Sequence, residues 1–230
     1  MDYKRFAKRV LRNPIIEALL TFLLILASLY AYAGAWPALS VVESTSMMHH
    51  ENKPFYLGTL EPGDILVLKK FDGNVITYQE GVLKSYKRFG DFGDVIIYRN
   101  PYTNTLIVHR AIRWVEKGEI ISDSSGTWEA PWSGYITKGD NNDFTDQESG
   151  VMFHMPVKPS WIIAKAGFEI PYLGVLKLYI MNSYYVSRIP PTCKLMAIVS
   201  YISLLLIPVV IEAIVVIYKK IRIWKEKNEF

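Results

Sequence analysis

Two long apolar runs bracket a segment built from short ones. Residues 15–36 (IIEALLTFLLILASLYAYAGAW) carry a single charge, Glu17, near their start, and residues 195–218 (LMAIVSYISLLLIPVVIEAIVVIY) carry only Glu212. About 20 apolar residues cross the hydrocarbon core of a bilayer as a helix, so each run predicts a transmembrane helix. The first also reads as a cleavable leader, because Ala31-Tyr32-Ala33 has the small residues of a cleavage site. Its length exceeds the roughly 7–15 apolar residues of a leader core. Its aromatic end (Tyr30, Tyr32, Trp36) suits the membrane–water interface. A retained anchor is therefore expected.

Between the runs the period changes. Ile65-Leu66-Val67-Leu68, Val95-Ile96-Ile97-Tyr98, Leu106-Ile107-Val108, Ile112-Arg113-Trp114-Val115, Ile120-Ile121 and Trp161-Ile162-Ile163 are short, and most are rich in β-branched or aromatic residues. Turn signals such as Pro62-Gly63-Asp64, Phe71-Asp72-Gly73, Asn100-Pro101 and Lys117-Gly118 separate them. No amphipathic helical stretch stands out in this segment. The expected class is mainly β: an antiparallel sheet or partly closed barrel between an N-terminal and a C-terminal transmembrane helix. The predicted divisions are a basic N-terminus (1–14), a span (15–36), a β-rich domain (37–194), a second span (195–218) and a basic tail (219–230).

Charge gives these divisions an orientation. Half of the chain is hydrophobic, and ten of its 26 basic residues flank the two apolar runs, five at each end. Between residues 37 and 194, 16 basic residues face 17 acidic ones. A nucleic-acid surface would concentrate positive charge on the folded part, so no nucleic-acid partner is expected. Basic flanks instead place both termini in the cytoplasm and residues 37–194 outside, in a multi-pass protein of the cell membrane. The lone cysteine, Cys193, excludes an internal disulfide and reads as a small apolar residue. Glu212 and Pro208 are unusual within a span; the acid reads as a snorkelling group or a contact for a partner helix.

Three groups of residues carry candidate chemistry. Ser44 and Ser46 lie two apart just beyond the first span, and in an extended segment their hydroxyls share a face. A serine hydroxyl needs a base to become a nucleophile. Of the four histidines, His109 follows the apolar run 106–108, where a strand would fix its ring. His49 and His50 are closer to Ser46 in sequence. The third group is the loop Thr137-Lys138-Gly139-Asp140-Asn141-Asn142-Asp143-Phe144-Thr145-Asp146. One of its aspartates would orient the imidazole, or the carboxylates would bind a metal, or they would cap local turns. A calcium loop of EF-hand type fits poorly, since counting from Asp140 puts Phe144 and Thr145 at its fifth and sixth positions. No metal or cofactor is expected.

Together these boxes resemble the type I signal peptidases, in the archaeal and endoplasmic-reticulum branch. Ser44-Thr45-Ser46-Met47 is similar to that family's serine box, Gly63-Asp64-Ile65-Leu66-Val67 and Gly93-Asp94-Val95-Ile96-Ile97-Tyr98 to its strand boxes, and Ile107-Val108-His109-Arg110-Ala111 to the box with the base. Thr137-Lys138-Gly139-Asp140-Asn141-Asn142 with Asp146 is similar to its acidic box, and Ile170-Pro171-Tyr172-Leu173-Gly174 to the segment before its C-terminal apolar region. Each box is short, but their order behind an anchor is specific.

The resemblance implies a membrane-bound serine endopeptidase that removes N-terminal signal peptides from exported preproteins. In that scheme Ser46 is the nucleophile, His109 the general base, Asp146 the essential aspartate and Asp140 a supporting one. Ser44 helps form the oxyanion hole. The implied partners are preprotein signal peptides, the lipid bilayer and the protein export machinery. The chain departs from the family at the serine box, where Thr45 stands in place of the usual Gly and Met48-His49-His50 replaces an early Pro. Two other readings remain: a non-catalytic membrane-tethered β module, with a metal in the 140–146 loop, and a related peptidase acting on another membrane-proximal substrate, including its own segment near Ala33.

Overall fold

The structure, a computed structural model, describes residues 14–34, 36–49, 58–181, 186–187 and 189–228. His50 and the basic residues 1–13 lie outside the described residues. The chain forms two compact units, Met1–Ser40 with Leu66–Phe168 and Val41–Ile65 with Glu169–Phe230.

The first unit begins with helix α1 (Pro14–Ala33), whose side chains are almost all exposed. Its sheet contains β2 (Ile65–Lys70), β5 (Val95–Arg99), β6 (Leu106–Val115), β9 (Gly134–Lys138) and β10 (Ile162–Ile170). With β1 (Leu39–Val41) the strand order is β1-β2-β10-β5-β6-β9. The β10–β5, β5–β6 and β6–β9 pairs are antiparallel, and no ring closes among the described residues. Two hairpins accompany it, β3 (Lys87–Arg88) with β4 (Asp91–Phe92) and β7 (Ile120–Asp123) with β8 (Gly126–Glu129).

Two sequence expectations change here. The apolar runs at 106–108 and 112–115 are one strand, β6, because the polar His109 and Arg110 between them are themselves buried. A short helix, α2 (Tyr78–Lys84), also lies within the β-rich segment. It is set by a capping box: Thr77 Oγ1 accepts the Glu80 N–H at 3.3 Å, while Glu80 Oε2 accepts the Thr77 N–H at 2.9 Å. Gly93 lies against this start. Its φ is +81°, and a Cβ there would come within 2.7 Å of Thr77 backbone, so a side chain is excluded on both counts.

Pairing register sorts the β6 side chains. His109 stands opposite Ile96 and Ile107 opposite Tyr98, and directly opposed residues share a face. That face joins Val75, Ile96, Tyr98, Ala111, Tyr135, Met152, Val157 and Ile162 in one apolar core. Arg110, next along the strand, turns to the opposite face. A second cluster of Val115, Ile121, Trp128, Ala130 and Ile136 includes residues of the β7–β8 hairpin.

The second unit contains helices α3 (Val175–Ile180) and α4 (Pro191–Asn228). Tyr172, Val175, Leu178, Ile189, Cys193 and Ala197 form its core. Tyr201 joins the helices, its hydroxyl donating to Leu173 O and accepting the Leu176 N–H, both at 2.9 Å. Cys193 packs in this core, as a small apolar residue would. Helix α1 and the Pro191–Arg222 part of α4 are long and apolar enough to cross a membrane. Glu212 is exposed on α4, beyond Pro208.

Candidate functional site

The first unit places a histidine and a carboxylate together in its core. His109 Nδ1 lies 2.8 Å from both Oδ1 and Oδ2 of Asp146, with Asp146 fully buried and His109 nearly so. The pairing of β6 with β9 makes this contact, since Ala111 stands opposite Thr137. From Thr137 the chain leaves the sheet and returns, with the Asp146 N–H donating to Thr137 O at 2.8 Å. His109 and Asp146, 37 positions apart in the chain, are thus brought together by a strand pair and a loop.

Two hydroxyls support the same carboxylate. Tyr98 donates to Asp146 Oδ2 at 2.8 Å and Thr137 Oγ1 donates to it at 2.6 Å. Burial, reinforced by the negative charge of Asp146, holds the Tyr98 phenol well above its ordinary pKa, so the phenol stays a donor. A carboxylate accepts at both oxygens, and here it takes two O–H donors and the imidazole Nδ1–H. That arrangement fixes the ring and leaves Nε2 as the basic nitrogen.

Arg110 and Asp140 form a second buried pair on the other face. Arg110 Nε reaches Asp140 Oδ1 at 2.7 Å and Nη2 reaches Oδ2 at 2.5 Å. The remaining guanidinium donors meet backbone carbonyls around the β3–β4 hairpin, among them Arg88 at 3.0 Å, Phe92 at 3.1 Å and Gly93 at 2.9 Å. Asp140 thus secures a structural arginine, and two aspartates of one loop, Asp140 and Asp146, serve opposite faces of one strand. A cation in the 140–146 loop would have to displace Arg110 from Asp140 and His109 from Asp146. Asp143, the third aspartate, is exposed.

In the second unit Ser44 Oγ and Ser46 Oγ are 3.0 Å apart. The reason differs from the sequence expectation. The segment is a turn and not an extended strand, with the Met48 N–H donating to Thr45 O at 3.1 Å. Ser44 is exposed, Ser46 half-buried, and Met47 and Met48 are buried. The turn curls the two hydroxyls together, with the half-buried Thr45 between them.

The other histidines go elsewhere or lie out of view. His49 is half-buried just after this turn. His154 stacks between Trp128 and Phe153, with ring centroids 5.0 and 3.9 Å away, and its Nε2 is 2.9 Å from Ser125 Oγ. Sequence reasoning passed over Tyr98, Thr137 and Arg110 as components. For Tyr98 a signal existed, because a tyrosine deep in an apolar strand needs a hydroxyl partner. Neither protein-family models nor curated proteins give a match to this chain.

Proposed function

We propose that the protein is a membrane-bound serine endopeptidase that cleaves signal peptides from exported preproteins, as the ordered sequence boxes imply. The observation that carries the reading is the buried His109–Asp146 pair at 2.8 Å, steadied by Tyr98 and Thr137. Such a pair suits a general base, and the chain offers one hydroxyl turn, at Ser44 and Ser46, in its serine box. Ser46 Oγ attacks the carbonyl carbon at the cleavage site as His109 Nε2 takes its proton. The Asp146 carboxylate stabilises the imidazolium that forms. Ser44 Oγ–H donates to the developing oxyanion. When the tetrahedral intermediate collapses, His109 protonates the leaving amine, and water then hydrolyses the acyl-enzyme by the same base.

The two apolar helices anchor the peptidase where a signal peptide's cleavage site emerges. Anchoring raises the local concentration of substrate without new contacts. In this reading both termini are cytoplasmic, the catalytic part lies outside the cell membrane, the sheet is partly closed, and the export machinery is a neighbour. Asp140 contributes through Arg110 and does not touch the substrate.

The test is cleavage of a preprotein by the full chain in detergent. Ser46→Ala and His109→Ala should each abolish processing, while His49→Ala and His50→Ala should leave it within a few-fold of the parent. Undiminished cleavage by Ser46→Ala would remove the nucleophile assignment. A product whose new N-terminus maps away from a signal-peptide junction would point to another membrane-proximal substrate. The same experiment, read by N-terminal mass, reports self-cleavage near Ala33.

A further inference from the structure

A buried acid in the second unit lies outside the catalytic constellation yet is tied to the serine turn. Asp64 is 1% exposed. Its Oδ2 accepts the Glu61 N–H at 2.8 Å and its Oδ1 accepts the Tyr172 N–H at 2.9 Å. The backbone of the same turn grips the residues leading to the serines. The Val42 N–H donates to Asp64 O at 2.9 Å, and the Gly63 N–H donates to Val42 O at 2.8 Å. On the far side the Gly174 N–H donates to Gly63 O at 2.8 Å. Gly63 is required there, with φ +97° and no room for a Cβ against Val175 Cγ2. The Asp64 side chain thus joins the 61–64 turn to Tyr172, and its backbone carbonyl holds Val42, two residues before Ser44 and four before Ser46.

We propose that Asp64 is a positioning residue whose two carboxylate oxygens, by holding the Glu61 and Tyr172 N–H groups together, set where the Ser44–Ser46 turn begins. Its functional consequence rests on the reading of Ser46 as the nucleophile; the clamp itself does not. A protonated carboxyl keeps one good acceptor oxygen and turns the other into a donor facing an N–H, so the clamp needs the ionised form.

The surroundings make that ionisation fall near neutrality. Burial pushes the Asp64 carboxyl up to about 7, and the negative charges of Glu61 and Glu169 act in the same direction against its two N–H partners. Glu61 is itself raised by burial, with the Thr59 hydroxyl at 3.3 Å and the charge of His49 opposing. Glu61 Oε2 also faces the Cys193 thiol at 4.0 Å. Glu169 Oε1 accepts the Gly58 N–H at 2.6 Å. The clamp accordingly tightens as pH rises through about 7.

The deciding measurement is the pH dependence of the backbone amide resonances of Glu61, Tyr172 and Ser44 in the full chain in detergent, carrying Ser46→Ala. All three should move with one midpoint near pH 7, and Asp64→Asn should remove that titration. Flat Glu61 and Tyr172 resonances with Asp64 intact would overturn the clamp, whether or not Asp64→Asn folds. Titration of those two without Ser44 would overturn its link to the serine turn. In the Ser46-intact chain, Asp64→Asn should lower kcat roughly 10- to 100-fold with little change in KM and erase the limb near pH 7 from the kcat profile. An unchanged kcat profile would overturn the positioning role. If the parent shows no cleavage at all, the peptidase reading fails, and the three amide resonances still decide the clamp.

Discussion

Arg110 meets Asp140 through two parallel hydrogen bonds, 2.7 and 2.5 Å long, on the face of β6 opposite His109. The pair is nearly inaccessible to solvent, and the arginine also binds carbonyls around the β3–β4 hairpin. Breaking a buried pair from one side leaves an uncompensated charge, at a cost of about 3–5 kcal/mol. Asp140→Asn should therefore lower the melting temperature by roughly 6–20 °C for a protein of this size. Assayed well below that temperature, it should keep kcat within about tenfold of the parent. An unaltered melting temperature with abolished turnover would make Asp140 a direct participant in the chemistry. Arg110→Lys should be nearly as damaging to stability, since a lysine cannot reproduce the fork.

The Asp146 carboxylate makes a different prediction through its two hydroxyl donors. Tyr98→Phe and Thr137→Val each remove one hydrogen bond to a charged acceptor, worth about 1.5–3 kcal/mol. Part of that loss appears as weaker support for the His109 imidazolium, so kcat should fall roughly 10-fold in each single variant while KM stays constant. Both hydroxyls serve Oδ2, 2.8 and 2.6 Å away, and neighbours on one atom do not act independently. The double variant should depart from the product of the singles. Independent effects in a double-mutant cycle would mean that the two donors do not share one task.

How far the chain was legible follows from what each residue responds to. Apolar runs such as 65–68 and 95–98 were readable because their partners are simply other apolar groups, and β2 and β5 fall on them. Strand β6 was read as two pieces because His109 and Arg110 look like solvent-facing residues until their aspartates are in place. Helix α2 was missed because seven residues are too few to display a period, although Thr77 and Glu80 have capping-box spacing. That one of three loop aspartates would orient His109 was an open possibility in the sequence. Spacing alone left the choice among them open, since the β6–β9 register decides it; only the resemblance named Asp146. The turn at Ser44–Ser46 escaped for a related reason: it depends on a hydrogen bond from Met48 to Thr45, which no side-chain pattern announces.

The proposed topology can be checked by chemical labelling. Tyr102 is exposed between β5 and β6, and Lys220 is exposed near the end of α4. The native Cys193 is buried and gives a low background. In intact cells a membrane-impermeant maleimide should label Tyr102→Cys, and it should reach Lys220→Cys only after the membrane is opened. The reverse pattern would place the β-rich part in the cytoplasm, where no emerging cleavage site could meet it. Labelling of both sites in intact cells would deny that the Pro191–Arg222 stretch crosses the bilayer.

Asp64 sets two effects against each other, and pH tells which one wins. Two N–H donors favour its carboxylate, while burial and nearby acids favour its protonated form. Burial dominates and puts the folded value at about 7, above the ordinary 3.8. An acid raised in the folded state contributes its stability fully below the unfolded value and loses it as pH climbs through the folded one. Asparagine does not titrate, so subtracting the stability of Asp64→Asn from that of the parent isolates this contribution. The difference should decline between pH of about 4 and about 7 and be level above it. Locally the ionised carboxylate still grips Glu61 and Tyr172 best, so the serine turn should be most ordered where this contribution is least favourable. A difference that rises with pH would mean that the two N–H groups outweigh burial, and that the clamp is already closed in mild acid.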